Sequence, residues 1–364
     1  MSPPHRRRED TRTRRAHQAR GCLRGAVGAI LCGVERWETI DDPPGVKRVA
    51  AALQAARWVG LSLETNAMHA YRARICLLQI ALPSGERVAL DAVALRGRPF
   101  ALRPLEAPLQ DAARPVIVHG GEHLVAALKR EHRIALAGIV DTQQAAVLLG
   151  WPRTGYRALV ERVVGAAVPP PISRDWAARP LPEGAIEYAL EDVRHLGALA
   201  RAIGAEIAAH DLADELAIAC QQVAWTPADI GRFDPDGFYR LKGAHRLPPA
   251  ALRVLREVWL WREAKARHLD VPPGKLLPNR ELLELARRPP AAVTGLRRVQ
   301  FHSRLLYGDR QELLNADAVS PAGRPRGPGA APGWALAVPL RRALPAERRR
   351  ERYGATLAVL CADG

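Results

Sequence analysis

The chain has 364 residues, 48% of them hydrophobic, which is enough for a real core in one main domain and a smaller second one. Its 54 Lys and Arg against 38 Asp and Glu give a formal charge of +16, which suits a polyanionic partner, although GC-rich coding also raises Arg and leaves the charge as supporting weight only. Five scattered cysteines (Cys22, Cys32, Cys76, Cys220, Cys361) support neither a disulfide framework nor a zinc site, and no apolar run approaches the roughly 18 residues that cross a bilayer, so a cytoplasmic protein in a reducing compartment is the default.

Residues 1–36 begin with Arg6, Arg7, Arg8, Arg12, Arg14 and Arg15 and continue into a short apolar piece, Ala26–Cys32. Arg24 stands just before that piece and no small-x-small site follows, so a disordered basic arm, or an over-extended start, fits better than a signal peptide. Asp41–Pro44 reads as a turn and Val46–Ala56 as a helix. Val59–Leu63 and Ile75–Leu82 are β-rich runs joined by a polar turn that carries Asn66, His69 and Tyr71. Arg87–Asp91 continues them as a third strand of one meander.

Val116–Val118 is a short strand that runs into His119-Gly120-Gly121, and Glu122–His132 is a helix. Ile139–Gly150 passes from a strand end into a helix, Arg157–Val164 is another, and Leu181–Ala208 contains an amphipathic one. Strands first and helices afterwards describe a mixed sheet with helices on its faces, an α/β domain over 37–225. A helix near Asp214–Trp225 leads into a polar connector, 226–243. A small all-α unit follows over 244–310, with helices at Pro248–His268, Arg280–Arg288 and within Val293–Leu306. From 311 the chain turns Pro/Gly/Arg-rich and reads as a tail, with a short helix near Ala335–Arg352.

Three pieces carry the chemistry. Ser62-Leu63-Glu64 lies on a strand, where period two puts Ser62 and Glu64 on one face. The second piece is Val116–Leu124, VIVHGGEHL. The third is Tyr188-Ala-Leu-Glu-Asp192, whose Tyr and Asp are four apart and share a helix face. In order and spacing, from about Trp37 to Trp225, these pieces resemble the ribonuclease D family, exonucleases named for an Asp-Glu-Asp-Asp carboxylate set with a motif tyrosine. DTQQAAVLLG and DWAARPLPEGAIEYALEDVRHL resemble it too. The later unit, with LPPAALRVLREVWLWREAKARHLDVPPGKLL, resembles the HRDC helical nucleic-acid-binding domain that such nucleases share with RecQ-type helicases.

The resemblance implies a ribonuclease H-like mixed-sheet exonuclease domain, an HRDC-like domain, Mg²⁺ or Mn²⁺ as cofactor, and RNA 3′ ends, tRNA-like precursors among them, as partner. It carries the catalytic roles to Glu64, Tyr188 and Asp192, with Glu64 and Asp192 as metal ligands. Two family carboxylates are missing, since Ser62 stands where the first motif has Asp and Leu124 where the second has Asp. Two divalent ions about 4 Å apart repel each other, and carboxylates must offset that repulsion and the dehydration of the ions. Two carboxylates hold one ion loosely or none, so the site reads as degraded. Glu122 sits about 200° around the helix from Leu124, Asn66 offers only a neutral oxygen, and Asp141 and Asp175 suit a turn and a cap.

In the helical unit Lys265, Lys275, Arg280 and Arg297 are the candidate nucleic-acid contacts, against the alternative of a solvated face. Trp259 and Trp261 are two apart on a helix, so one of them is a stacking platform or half exposed. The expected function is RNA 3′-end binding with weak or absent 3′–5′ exonuclease activity. A working exoribonuclease and a protein-interaction scaffold are the alternatives, and the sequence names no protein partner.

Overall fold

The computed structural model describes residues 36–98 and 100–315. The expected arm before Arg36 and the tail and helix expected beyond Asn315 lie outside the described residues.

Six strands form one mixed sheet: β1 Trp37–Ile40, β2 Val59–Thr65, β3 Ile75–Ala81, β4 Arg87–Asp91, β5 Val116–Val118 and β6 Ile139–Asp141. Their order across the sheet is β1-β4-β3-β2-β5-β6. The expected meander is present: β2 and β3 are antiparallel, as are β3 and β4. β5 and β6 extend the sheet in parallel beyond β2, and β1 closes the other edge parallel to β4.

The helices are α1 Pro43–Ala55, α2 Glu106–Gln110, α3 Glu122–His132, α4 Thr142–Leu148, α5 Tyr156–Val164, α6 Ala185–Arg194, α7 Leu196–Ala209 and α8 Ala213–Ala224, then α9 Pro249–Leu269, α10 Pro273–Leu276, α11 Asn279–Arg287 and α12 Tyr307–Asn315. Local chemistry sets several of their ends. The Asp42 carboxylate accepts the Gly45 N–H at 2.7 Å and caps α1, with Pro43 and Pro44 in the first turn where no intrahelical donor is needed. Leu181–Ala208, read as containing one amphipathic helix, holds two helices broken at His195, where Tyr156 braces the bend. The Tyr156 hydroxyl donates to the Glu191 carbonyl at 2.7 Å and accepts the His195 N–H at 3.2 Å.

The period of two along the strands sorts the core into two faces. Leu61, Leu78, Ile80, Val88 and Leu90 point into the large cluster with Val46, Val49 and Leu53 of α1. Ala81, Ala89 and Ile117 point the other way, against Leu190 and Val193 of α6 and Leu196 of α7. Gly60 sits on this second face, where a Cβ would come within 3.3 Å of the Leu196 side chain, so glycine permits the close helix approach.

Residues beyond α8 build a separate hydrophobic cluster around Leu255, Val258, Trp261, Leu276 and Leu282. Trp261 is its buried tryptophan. Trp259 is not an open stacking platform, because the connector folds over it. Phe233 stacks on its ring at 5.8 Å, the Asp234 carbonyl accepts its indole N–H at 3.0 Å, and the Arg262 guanidinium lies 4.6 Å from the ring centre. The boundary expected at 310 falls inside α12, so ordered helix continues past it.

Candidate active site

β2 carries Ser62 and Glu64 on the face that meets α6. Burial, and after it the charge of Asp192, push the Glu64 carboxyl up to about 8, while Arg174 pulls it back. Asp192 sits on α6, and burial followed by the charge of Glu191 pushes its carboxyl up to about 6. Tyr188, one turn before Asp192, feels both carboxylates, and burial is the largest cause of its raised phenol pKa. The strand end and the helix therefore bring Glu64, Tyr188 and Asp192 into one electrostatic neighbourhood.

A strap over residues 170–179 covers the tyrosine. The Ile172 N–H donates to the Tyr188 hydroxyl at 3.1 Å, and that hydroxyl donates to the Pro170 carbonyl at 3.2 Å. Trp176 stacks on the Tyr188 ring at 6.2 Å, and the Arg174 guanidinium lies 5.2 Å from the Trp176 ring centre. Arg179 pins the strap to the sheet with a two-pronged ion pair to Asp91, at 2.7 and 2.6 Å, and a bond to the Trp176 carbonyl at 2.8 Å. Asp175 caps a turn in this strap through the Ala177 N–H at 3.0 Å. Arg174 and Arg179 were not singled out from sequence. Their roles come from contacts with residues far along the chain.

The other sequence-marked residues go elsewhere. Leu124 is 5% exposed and packs in the large cluster with Leu61, which points away from Ser62 and Glu64. Glu122, two residues earlier, is exposed. Asn66 does not serve as a spare ligand, because its Oδ1 accepts the Arg74 N–H at 2.7 Å and closes the β2–β3 loop. Asp141 is fully buried and accepts N–H bonds from Gly120, Gly121, Gln143 and Gln144, which fixes the turn after β5 and starts α4. His119 is held in that turn, its Nδ1 2.9 Å from the Thr142 hydroxyl, and burial lowers its pKa.

Directly across from Ser62 in the β2–β3 register stands Gln79. It is fully buried, and neither amide atom has a hydrogen-bond partner among the described residues. An unpartnered buried polar group costs about 1–3 kcal/mol.

Among the basic candidates, Lys265 is committed internally: its ammonium is 2.8 Å from Asp309 and 2.5 Å from Glu312 of α12, and it is largely buried. It is not a free cation for phosphate, because those two carboxylates already hold its charge. Arg280 pairs with Glu281 at 3.0 Å and with Gln300. Lys275 and Arg297 are exposed.

Residues 37–208 match the 3′-5′ exonuclease family, and residues 251–306 match the HRDC domain. Ribonuclease D of Xanthomonas oryzae is 30% identical over 257 residues, covering 67% of this chain and 67% of that enzyme. The chain belongs to the ribonuclease D family. Ribonuclease D of Gluconacetobacter diazotrophicus is 29% identical and Arabidopsis thaliana RRP6-like 1 is 26% identical, and the chain covers 66% and 45% of their lengths, less than two thirds of each. In fold it resembles the catalytic core of Trypanosoma brucei RRP6, with a TM-score of 0.65, 18% identity and 80% of each chain covered. It also resembles Escherichia coli RNase D, with a TM-score of 0.60, 21% identity and 78% and 74% covered.

Divalent metals are the normal cofactors of this ribonuclease D family, and the residues present do not fit a two-ion centre. Among the described residues no three His, Cys, Asp or Glu side chains come together as a metal-holding group.

Proposed function

We propose that this ribonuclease D-family chain binds RNA 3′ ends and hydrolyses them weakly or not at all. The observation that carries the reading is the two-carboxylate site: Glu64 on β2 feels the charge of Asp192 on α6, with Ser62 where a third ligand would stand. Two carboxylates supply half the charge needed to offset a pair of divalent ions. Tyr188, Glu64 and Asp192 take the catalytic positions by resemblance to the family, and Ser62 takes a lost one, whereas Leu124, matched to the other by sequence, packs in the core.

The chain divides functionally into an exonuclease domain over 37–225, a connector over 226–243 and an HRDC domain from 244. Of the candidate contacts, exposed Lys275 and Arg297 are the first to meet phosphate, and Arg280 is shared with Glu281 and Gln300. The retained trio of Glu64, Tyr188 and Asp192 favours one second reading, a slow exoribonuclease that works with a single ion.

Two titrations test this reading. RNA with a 3′ single-stranded end should bind to the full chain, with an affinity that falls steeply as salt rises. Mn²⁺ followed by calorimetry should bind weakly at one site or not at all. Two tight Mn²⁺ sites, or no salt-dependent RNA binding, would contradict it.

A further inference from the structure

The buried amide of Gln79 carries an inference that rests on the depleted-site reading and deepens it. Gln79 is 0% exposed and pairs with Ser62 in the antiparallel β2–β3 register. Directly opposed residues point to the same face, with Cβ atoms about 4.5–5.5 Å apart. The neighbours of Gln79 on that face are Leu77 and Ala81 of its own strand and Ala89 of β4, all apolar. The helix above contributes Ala189, Leu190 and Val193, also apolar. Neither amide atom finds a partner in these surroundings.

A buried glutamine in an apolar layer is disfavoured unless its amide is satisfied. The register puts residue 62 directly opposite and Glu64 on the diagonal, and neither Ser62 nor Glu64 reaches the amide. A serine side chain ends one atom beyond Cβ and has a single oxygen, whereas an aspartate reaches one atom farther and offers two acceptors. We propose that Gln79 is the positioning residue for position 62, with its amide set to donate to a carboxylate there, and that Ser62 leaves this donor stranded. The socket for the missing ligand is thus still present although the ligand has been replaced.

A thermodynamic cycle on the full chain tests the proposal without any nuclease assay. Denaturant midpoints are measured at one pH for the wild type, Ser62→Asp, Gln79→Leu and the double variant. Gln79→Leu should leave the midpoint unchanged or raise it in the Ser62 background, because it removes an unpartnered amide. In the Ser62→Asp background it should lower the midpoint. A glutamine that merely packs would give the same shift in both backgrounds, and that result overturns the inference. If Ser62→Asp does not fold, Ser62→Asn carries the same cycle with an uncharged acceptor, and the absence of a sign change there overturns it equally. Full metal-dependent turnover by the wild type would overturn the depleted-site reading, a failure separate from equal shifts in the cycle.

Discussion

The Tyr71 hydroxyl, on the loop that leaves β2, donates a hydrogen bond to the Glu263 carboxylate on α9, 192 positions along the chain. Arg267 donates to the same hydroxyl at 3.3 Å and lies over the tyrosine ring at 5.6 Å. The Asp270 carboxylate accepts the backbone N–H groups of Tyr71 and Arg72 at 3.0 and 3.2 Å. The helical region is therefore fastened to the loop that begins just after Glu64, and the described residues belong to one compact unit.

Breaking this latch should loosen the helical region. Tyr71→Phe leaves Glu263, 8% exposed, without its phenolic donor. Loss of a hydrogen bond to a charged group costs about 1.5–3 kcal/mol, and Arg267 remains as the second partner of this carboxylate. Limited proteolysis of Tyr71→Phe should cut faster within 226–243 than in the wild type, and equal rates would show that the latch holds nothing.

The raised carboxyls predict a pH dependence of definite sign. Glu64 is raised from its ordinary 4.5 to about 8, so between those values the folded chain keeps a proton that the unfolded chain has released. The contribution to stability is complete below 4.5 and is lost as pH rises through 8. Glu64→Gln should flatten that limb of a stability-against-pH curve, and an unchanged slope would place the titration elsewhere.

Arg174 is the cation that opposes this rise. Arg174→Met keeps much of the stem over Trp176 but removes the charge, so Glu64 should titrate still higher and the alkaline loss of stability should move up in pH. The shift should vanish when Glu64→Gln is combined with it. A shift that survives the combination would assign the effect to another group.

The basic residues of the helical region should separate into two kinds. Lys275→Glu and Arg297→Glu should weaken RNA binding and lower its salt slope by about 1 for each phosphate no longer neutralised, with little change in stability. Lys265→Glu should instead lower the unfolding midpoint, because it opposes Asp309 and Glu312 with a third carboxylate. Equal effects on binding from all three would restore Lys265 to the phosphate surface.

Much of this was legible in the chain. The apolar β-rich runs at 59–63 and 75–82, with 87–91 after them, are enough to give the meander, and Glu122–His132 has the spacing of the helix it forms. β1 was missed because Trp-Glu-Thr-Ile is four residues long at a sheet edge, too short for a period to show. α12 was missed because its apolar side chains make no stripe and its place is fixed by the ion pairs to Lys265. Spacing put Tyr188 and Asp192 on one helix face, and their pairing with Glu64 came from the resemblance to the family. The stranded Gln79 amide, the Arg174 charge and the covering of Trp259 depend on strand register and long-range packing, which local pattern does not encode.

The most direct measurement is turnover of a 3′-extended RNA by the wild type and by Ser62→Asp, in Mg²⁺ and in Mn²⁺, because position 62 shares the face of Glu64 whereas Leu124 packs in the core. A site short of the carboxylate at position 62 predicts little or no 3′–5′ hydrolysis by the wild type and a clear metal-dependent gain in Ser62→Asp. A wild type already as fast as Ser62→Asp would contradict it.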